Sequence, residues 1–139
     1  MKLPIVARLA VHEAGHSLVL APFGARTSAR IWLDGGEWHG VTHIEGIDGT
    51  SGLPPNWRRI YGCAGLVAEF LLIRPDADEQ LTFAWLGLKQ PSETDARHME
   101  NLTMADVLDC LMLLRYSWPQ VLEVADQLCA QEHGSAVPS

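Results

Sequence analysis

The chain has 139 residues, 47% of them apolar and 19% charged, with a formal net charge of −7. That length suits one domain, residues 1–139, with a real core. The acidic balance, unopposed by any Lys/Arg cluster, excludes a nucleic-acid footprint. The longest apolar run, Leu66 to Ile73, is broken by Glu69 and is too short for membrane insertion.

Met1-Lys2 ahead of apolar residues resembles a signal peptide only superficially, because Arg8, His12, Glu13 and His16 interrupt the run. The expected location is therefore cytoplasmic. A first helix is expected from about Pro4 to Ala21, with Pro22-Phe23-Gly24 as its stop. Ile5, Val6, Leu9, Ala10, Leu18 and Val19 make it largely buried. It contains His12-Glu13-Ala14-Gly15-His16. Two histidines four apart on a helix project to one side, so both imidazoles can reach the same metal ion. Glu13 points away from that side and is well placed to touch a water in the metal's open position. This is the HExxH arrangement, in which zinc lowers the pKa of its water and a carboxylate takes the proton. Gly15 costs a helix roughly 1 kcal/mol against Ala, which implies close backbone packing there. The plainer reading, a solvated face bearing two histidines and a glutamate, fits poorly with a buried helix whose histidines need partners.

Ile31-Trp32-Leu33 and Gly40-Val41-Thr42-His43-Ile44 flank Asp34-Gly35-Gly36 and predict a hairpin or small sheet. Its edge either receives an extended peptide or merely covers the core. Residues 45–55 read as a loop. A helix follows from Pro54-Pro55 to about Ile73, with Trp57, Ile60, Tyr61, Ala64, Ala68, Leu71 and Leu72 as its core stripe. Gly62 and Gly65 share another face with Arg58 and Glu69, suited to close approach of a second helix. A carboxylate at Glu69, amid apolar neighbours, orients a metal-bound histidine or sits in a salt bridge. Leu81, Ala84, Trp85 and Leu88 allow a short helix in the connector 76–91. Ser92-Glu93-Thr94-Asp95 is a capping-box-like start, and Thr103 with Asp106 repeats the signal, so two helices bent near Asn101 are expected. The second carries Val107, Leu108, Cys110, Leu111, Met112 and Leu114 inward. Ser117-Trp118-Pro119 opens the last helix, which presents Val121, Leu122, Val124, Ala125, Leu128 and Cys129. It ends at His133-Gly134 before a frayed tail, 135–139. Cys63, Cys110 and Cys129 read as reduced core thiols, and the five tryptophans as core.

A catalytic zinc usually takes three protein ligands and keeps one position open. Composition offers Glu69, Glu93, Asp95 and His98 for the third, and spacing does not choose among them. His12-Glu13-Ala14-Gly15-His16, then Gly62-Cys63-Ala64-Gly65-Leu66-Val67-Ala68-Glu69, then Ser92-Glu93-Thr94-Asp95 together resemble the peptidase domain of the FtsH family of zinc metalloproteases. The resemblance covers most of the chain in motif order. It implies a mainly α-helical (α+β) metallopeptidase domain with a small β-hairpin or sheet. It implies zinc ligands His12, His16 and Asp95, Glu13 as general base, and Glu69 near the site. The chain departs from the family in lacking a P-loop and a transmembrane segment. It also has Glu93-Thr94-Asp95-Ala96 around the aspartate and Glu69-Phe70 where the family has a glutamate pair. The expected activity is ATP-independent, zinc-dependent hydrolysis of peptide bonds in peptides or unfolded segments, with His43 or His98 as an extra donor to the oxyanion. The alternatives are a protease dedicated to one regulatory protein, a non-catalytic zinc-binding adaptor, and a structural zinc module. A fourth protein ligand would mark the last of these.

Overall fold

The computed structural model of the protein describes residues 4–48 and 52–135. The fold is mainly α with one small antiparallel hairpin. In chain order come α1 (Ile5–Leu18), a 3-10 turn (Ala21–Phe23), β1 (Ala25–Asp34), β2 (Glu37–Ile47), α2 (Trp57–Ile73), α3 (Glu79–Leu86), α4 (Glu93–His98), α5 (Met104–Tyr116) and α6 (Trp118–Ser135). Met1-Lys2, residues 49–51 of the expected loop, and residues 136–139 of the expected tail lie outside the described residues. Among the described residues no helix is long and apolar enough to cross a membrane.

The first helix ends earlier than its periodicity implied. Leu20 leads into the 3-10 turn, and Gly24, at φ 89°, closes that turn by donating its N–H to Ala21 O. The strands run well beyond their apolar centres. In β1, Arg26, Ser28 and Arg30 are exposed while Ala25 and Ile31 are buried, the alternation of a half-covered strand. Asp34 pairs with Glu37, and the two residues between them, Gly35 and Gly36, take φ of 61° and 81°. A two-residue turn with both central residues left-handed is one of those whose twist matches that of the flanking strands, and glycine takes such φ without strain.

The core forms where α1 crosses α2, with α6 packed on α1 and α5 on α2. Ala10, Ala14, Ala64 and Ala68 are fully buried at the crossing. A Cβ on Gly15 would lie 2.7 Å from Ala68 Cβ and 2.8 Å from Ala64 O, so the two helices approach as closely as the sequence implied. Leu20, Ile60, Val67, Val107, Leu111, Leu114 and Val121 fill the remainder.

Several inward assignments need correction. Leu108 and Met112 are 38% and 62% exposed, because the covered face of α5 is Val107, Cys110, Leu111 and Leu114. Leu122 and Ile5 also face outward. Four tryptophans pack against the core, but Trp32 lies on the hairpin, stacked on His39 with the Arg30 guanidinium 4.5 Å from its ring. All three cysteines are free thiols, Cys63 and Cys110 buried and Cys129 partly so.

Candidate metal centre

Three elements bring the centre together. His12 and His16 lie one turn apart on α1, and Asp95 comes from the first turn of α4, capped by Ser92, whose Oγ accepts from the Asp95 N–H at 3.2 Å. Asp95 does not return the bond to Ser92, as a full capping box would; its carboxylate turns to the histidines. His12 Nε2 and His16 Nε2 are 3.2 Å apart, His16 Nε2 and Asp95 Oδ2 3.2 Å, and His12 Nε2 and Asp95 Oδ2 3.4 Å. Atoms that bind a tetrahedral zinc at about 2.0–2.1 Å stand roughly 3.3 Å from one another, so the triangle fits the ion.

The far side of each ring explains why these atoms face inward. His16 Nδ1 lies 2.8 Å from the Tyr61 backbone carbonyl, which can only accept, so Nδ1 carries the proton. His12 Nδ1 lies 2.7 Å from Glu69 Oε2, and the Glu69 carboxylate also accepts from Arg8 at 3.3 Å. With both rings neutral, each presents a lone pair to the centre, where the Asp95 carboxylate is also an acceptor. Three acceptors around one point attract a cation, whether a metal ion or a proton. The proton affinity of His12 reflects the same attraction. Burial alone pushes the His12 imidazole down, but the bonds to Asp95 and Glu69 outweigh it and carry its pKa up to about 10. Burial likewise opposes ionisation of Asp95, yet His12 and His16 hold its carboxyl well below the usual carboxylate range.

The two glycines of α2 make room for this. A Cβ on Gly65 would lie within 2.6 Å of three His12 ring atoms, and one on Gly62 would lie 2.5 Å from His98 Cβ and 3.2 Å from Asp95 O. The glycine face thus receives α1 on one side and α4 on the other.

Glu13 is buried and stands apart from the ligand triangle, its Oε1 accepting from Thr42 Oγ1 at 2.7 Å. Among the described residues the group able to hold a metal is His12, His16 and Asp95, with no fourth member. A cavity of about 840 Å³ opens over these groups. His43 lines it, exposed, from β2. His98 also lines it, its ring against Tyr61 and Trp57, and its Nδ1 is buried without a partner among the described residues. Neither hydrogen-bonds the triangle. Glu93 is exposed and paired with Arg97, which removes it from the ligand candidates.

Sequence reasoning missed Tyr61, Thr42 and Arg8. Tyr61 supports His16 through a backbone carbonyl, which no side-chain pattern signals. Its phenol is held neutral, with a pKa raised to about 12 by burial and then by the charges of Asp95 and Glu13.

No model of a known protein family matches the chain, and no curated protein matches it either.

Proposed function

We propose that the protein is a zinc-dependent endopeptidase that hydrolyses peptide bonds in peptides or in flexible, unfolded protein segments. The reading rests on one observation: three mutually spaced ligand atoms lie beside a buried carboxylate that is not among them. A purely structural zinc site is normally closed by a fourth protein ligand and has no use for a free carboxylate. The motif order shared with the FtsH-type peptidase domain supports the same assignment of His12, His16 and Asp95 as ligands. Bound zinc supplies a water of lowered pKa and polarises the carbonyl under attack.

The chain's own groups account for the rest. Glu69 and the Tyr61 carbonyl fix the tautomer and orientation of the two rings. Glu13 takes the proton of the attacking water and delivers it to the leaving amine. Five consecutive residues of β2, Gly40 to Ile44, line the cavity, and β2 has only β1 as a strand neighbour among the described residues. An unpaired strand edge along the cavity suits a substrate bound in extended form through main-chain hydrogen bonds. That geometry favours flexible segments over folded domains.

Chelation tests the proposal. Cleavage of a natively unfolded protein is expected to disappear with 1,10-phenanthroline and return on adding back zinc. Cleavage that persists in the chelator would rule out a metal-dependent reaction.

A further inference from the structure

The helix that carries Glu13 is not its only support. Gly40 and Thr42 are two residues apart on β2, share one face of the strand, and both meet the Glu13 side chain. Thr42 Oγ1 lies 2.7 Å from Glu13 Oε1 and 3.2 Å from the Glu13 backbone carbonyl. At Gly40 a Cβ would stand 2.7 Å from Oε2, 2.8 Å from Cγ and 3.0 Å from the carboxylate carbon, so the Glu13 side chain occupies the space a larger residue there would need. Thr42 is itself anchored, because the Tyr61 hydroxyl donates to its carbonyl at 3.2 Å. A free glutamate has several rotatable bonds and loses considerable rotamer freedom when held in one geometry. Here the strand removes that freedom beforehand. Oε1 is taken by Thr42, while Oε2 accepts no hydrogen bond from any described residue, and the side chain lines the cavity.

We infer that Gly40 and Thr42 form a clamp that aims Glu13 Oε2 into the cavity, with Thr42 as a positioning residue for the base. The inference rests on the reading of Glu13 as the group that takes the water's proton. A carboxylate presented in a fixed direction needs no reorganisation when the proton moves, which is where preorganised groups gain their effect. The competing account is structural: Thr42 satisfies a buried carboxylate and nothing more. The two differ in what the Thr42 hydroxyl does for a ligand on the metal.

The test uses the zinc-loaded full chain with Thr42→Val, Thr42→Ser, Gly40→Ala and Glu13→Gln. The readouts are cleavage of an unfolded protein and affinity for acetohydroxamate, a chelator that binds zinc and donates a hydrogen bond to an adjacent carboxylate. Thr42→Val, nearly isosteric, is expected to lower kcat about 10- to 100-fold with little change in KM, a fraction of what a general base contributes. It is expected to weaken acetohydroxamate about 10-fold, as loss of an aligned bond to a charged group does. Thr42→Ser restores most of both. Gly40→Ala, whose methyl displaces the carboxylate instead of freeing it, reproduces the loss. Zinc affinity, read by chelator competition, stays at the parent level throughout. In a Glu13→Gln background Thr42→Val adds nothing, because Thr42 acts through Glu13.

Parent-like kcat and acetohydroxamate affinity in Thr42→Val, with only its urea midpoint lowered, would overturn the clamp and leave Thr42 a structural partner. So would losses that add independently to those of Glu13→Gln. If the parent cleaves nothing, the acetohydroxamate readings still decide. Coupling between Thr42 and Glu13 would then sustain the clamp while the peptidase reading fails, and absence of coupling would remove both.

Discussion

Glu69 lies between Arg8 and His12 in the cavity wall, against the His12 nitrogen that faces away from the three proposed ligand atoms. Its Oε2 accepts from the His12 Nδ1–H at 2.7 Å, and its Oε1 accepts from Arg8 at 3.3 Å. The carboxylate therefore fixes which His12 nitrogen faces the centre. Groups of this kind typically account for 10- to 100-fold in metal affinity. Glu69→Ala is expected to weaken zinc by roughly that factor in a chelator competition, with the fold intact. An unchanged affinity would mean that packing against Gly65 alone orients the ring. The sequence offered Glu69 either to orient a metal-bound histidine or to sit in a salt bridge, and in the structure it is bonded to His12 and paired with Arg8. The two histidines were legible because four residues on a helix is a fixed geometry. The Tyr61 carbonyl was not, since every residue has one and only the tertiary approach of α2 to α1 selects it.

At the level of elements, the joint between α2 and α5 has a consequence in acid. Asp106 is buried at the start of α5, where it forms a reciprocal capping box with Thr103 and accepts from Asn56 at 2.8 Å and Arg59 at 2.7 Å. Burial opposes its ionisation, but those hydrogen bonds outweigh it and lower its pKa from 3.8 to about 2. A carboxyl depressed in the folded state stabilises fully above its unfolded pKa and loses that contribution as pH falls through the folded value. The gain is on the order of 2 kcal/mol at neutral pH and vanishes between about pH 4 and pH 2. The urea midpoint of Asp106→Asn should accordingly fall below the parent's at pH 7, with the gap closing as pH drops towards 2. A gap independent of pH would assign the effect to packing. The capping signals of α4 and α5 were readable because caps are local. The strand ends were not, because Arg26, Ser28 and Glu45 are polar. Only pairing with a partner strand and cover by α1 reveal which faces they present. The inward assignment of Leu108 and Met112 on α5 failed for the opposite reason: apolar residues at helical spacing do not reveal which neighbours cover them.

For the whole molecule, the centre joins residues 79 positions apart, His16 and Asp95, and couples the packing of α1, α2 and α4 to the ligand geometry. Sequence spacing left the third ligand open among four candidates, and a resemblance chose Asp95. The fold brings Asp95 to the histidines, directs Glu69 to the back of His12 and turns Glu93 to solvent. A site of this kind links metal to stability, since whatever binds only the folded state stabilises it. Zinc at 100 times its dissociation constant is expected to raise parent stability by about 2.7 kcal/mol, read as a higher urea midpoint. Asp95→Ala should show no comparable rise. An equal rise in that variant would place the metal elsewhere.

The most direct measurement compares zinc-loaded parent and Glu13→Gln on a natively unfolded protein, with bound zinc quantified in both. The account predicts a single zinc per chain in each and cleavage by the parent alone. Zinc retained in both with cleavage by neither would contradict the general peptidase, leaving a protease dedicated to one partner or a binding module. Cleavage by both would remove Glu13 from the chemistry.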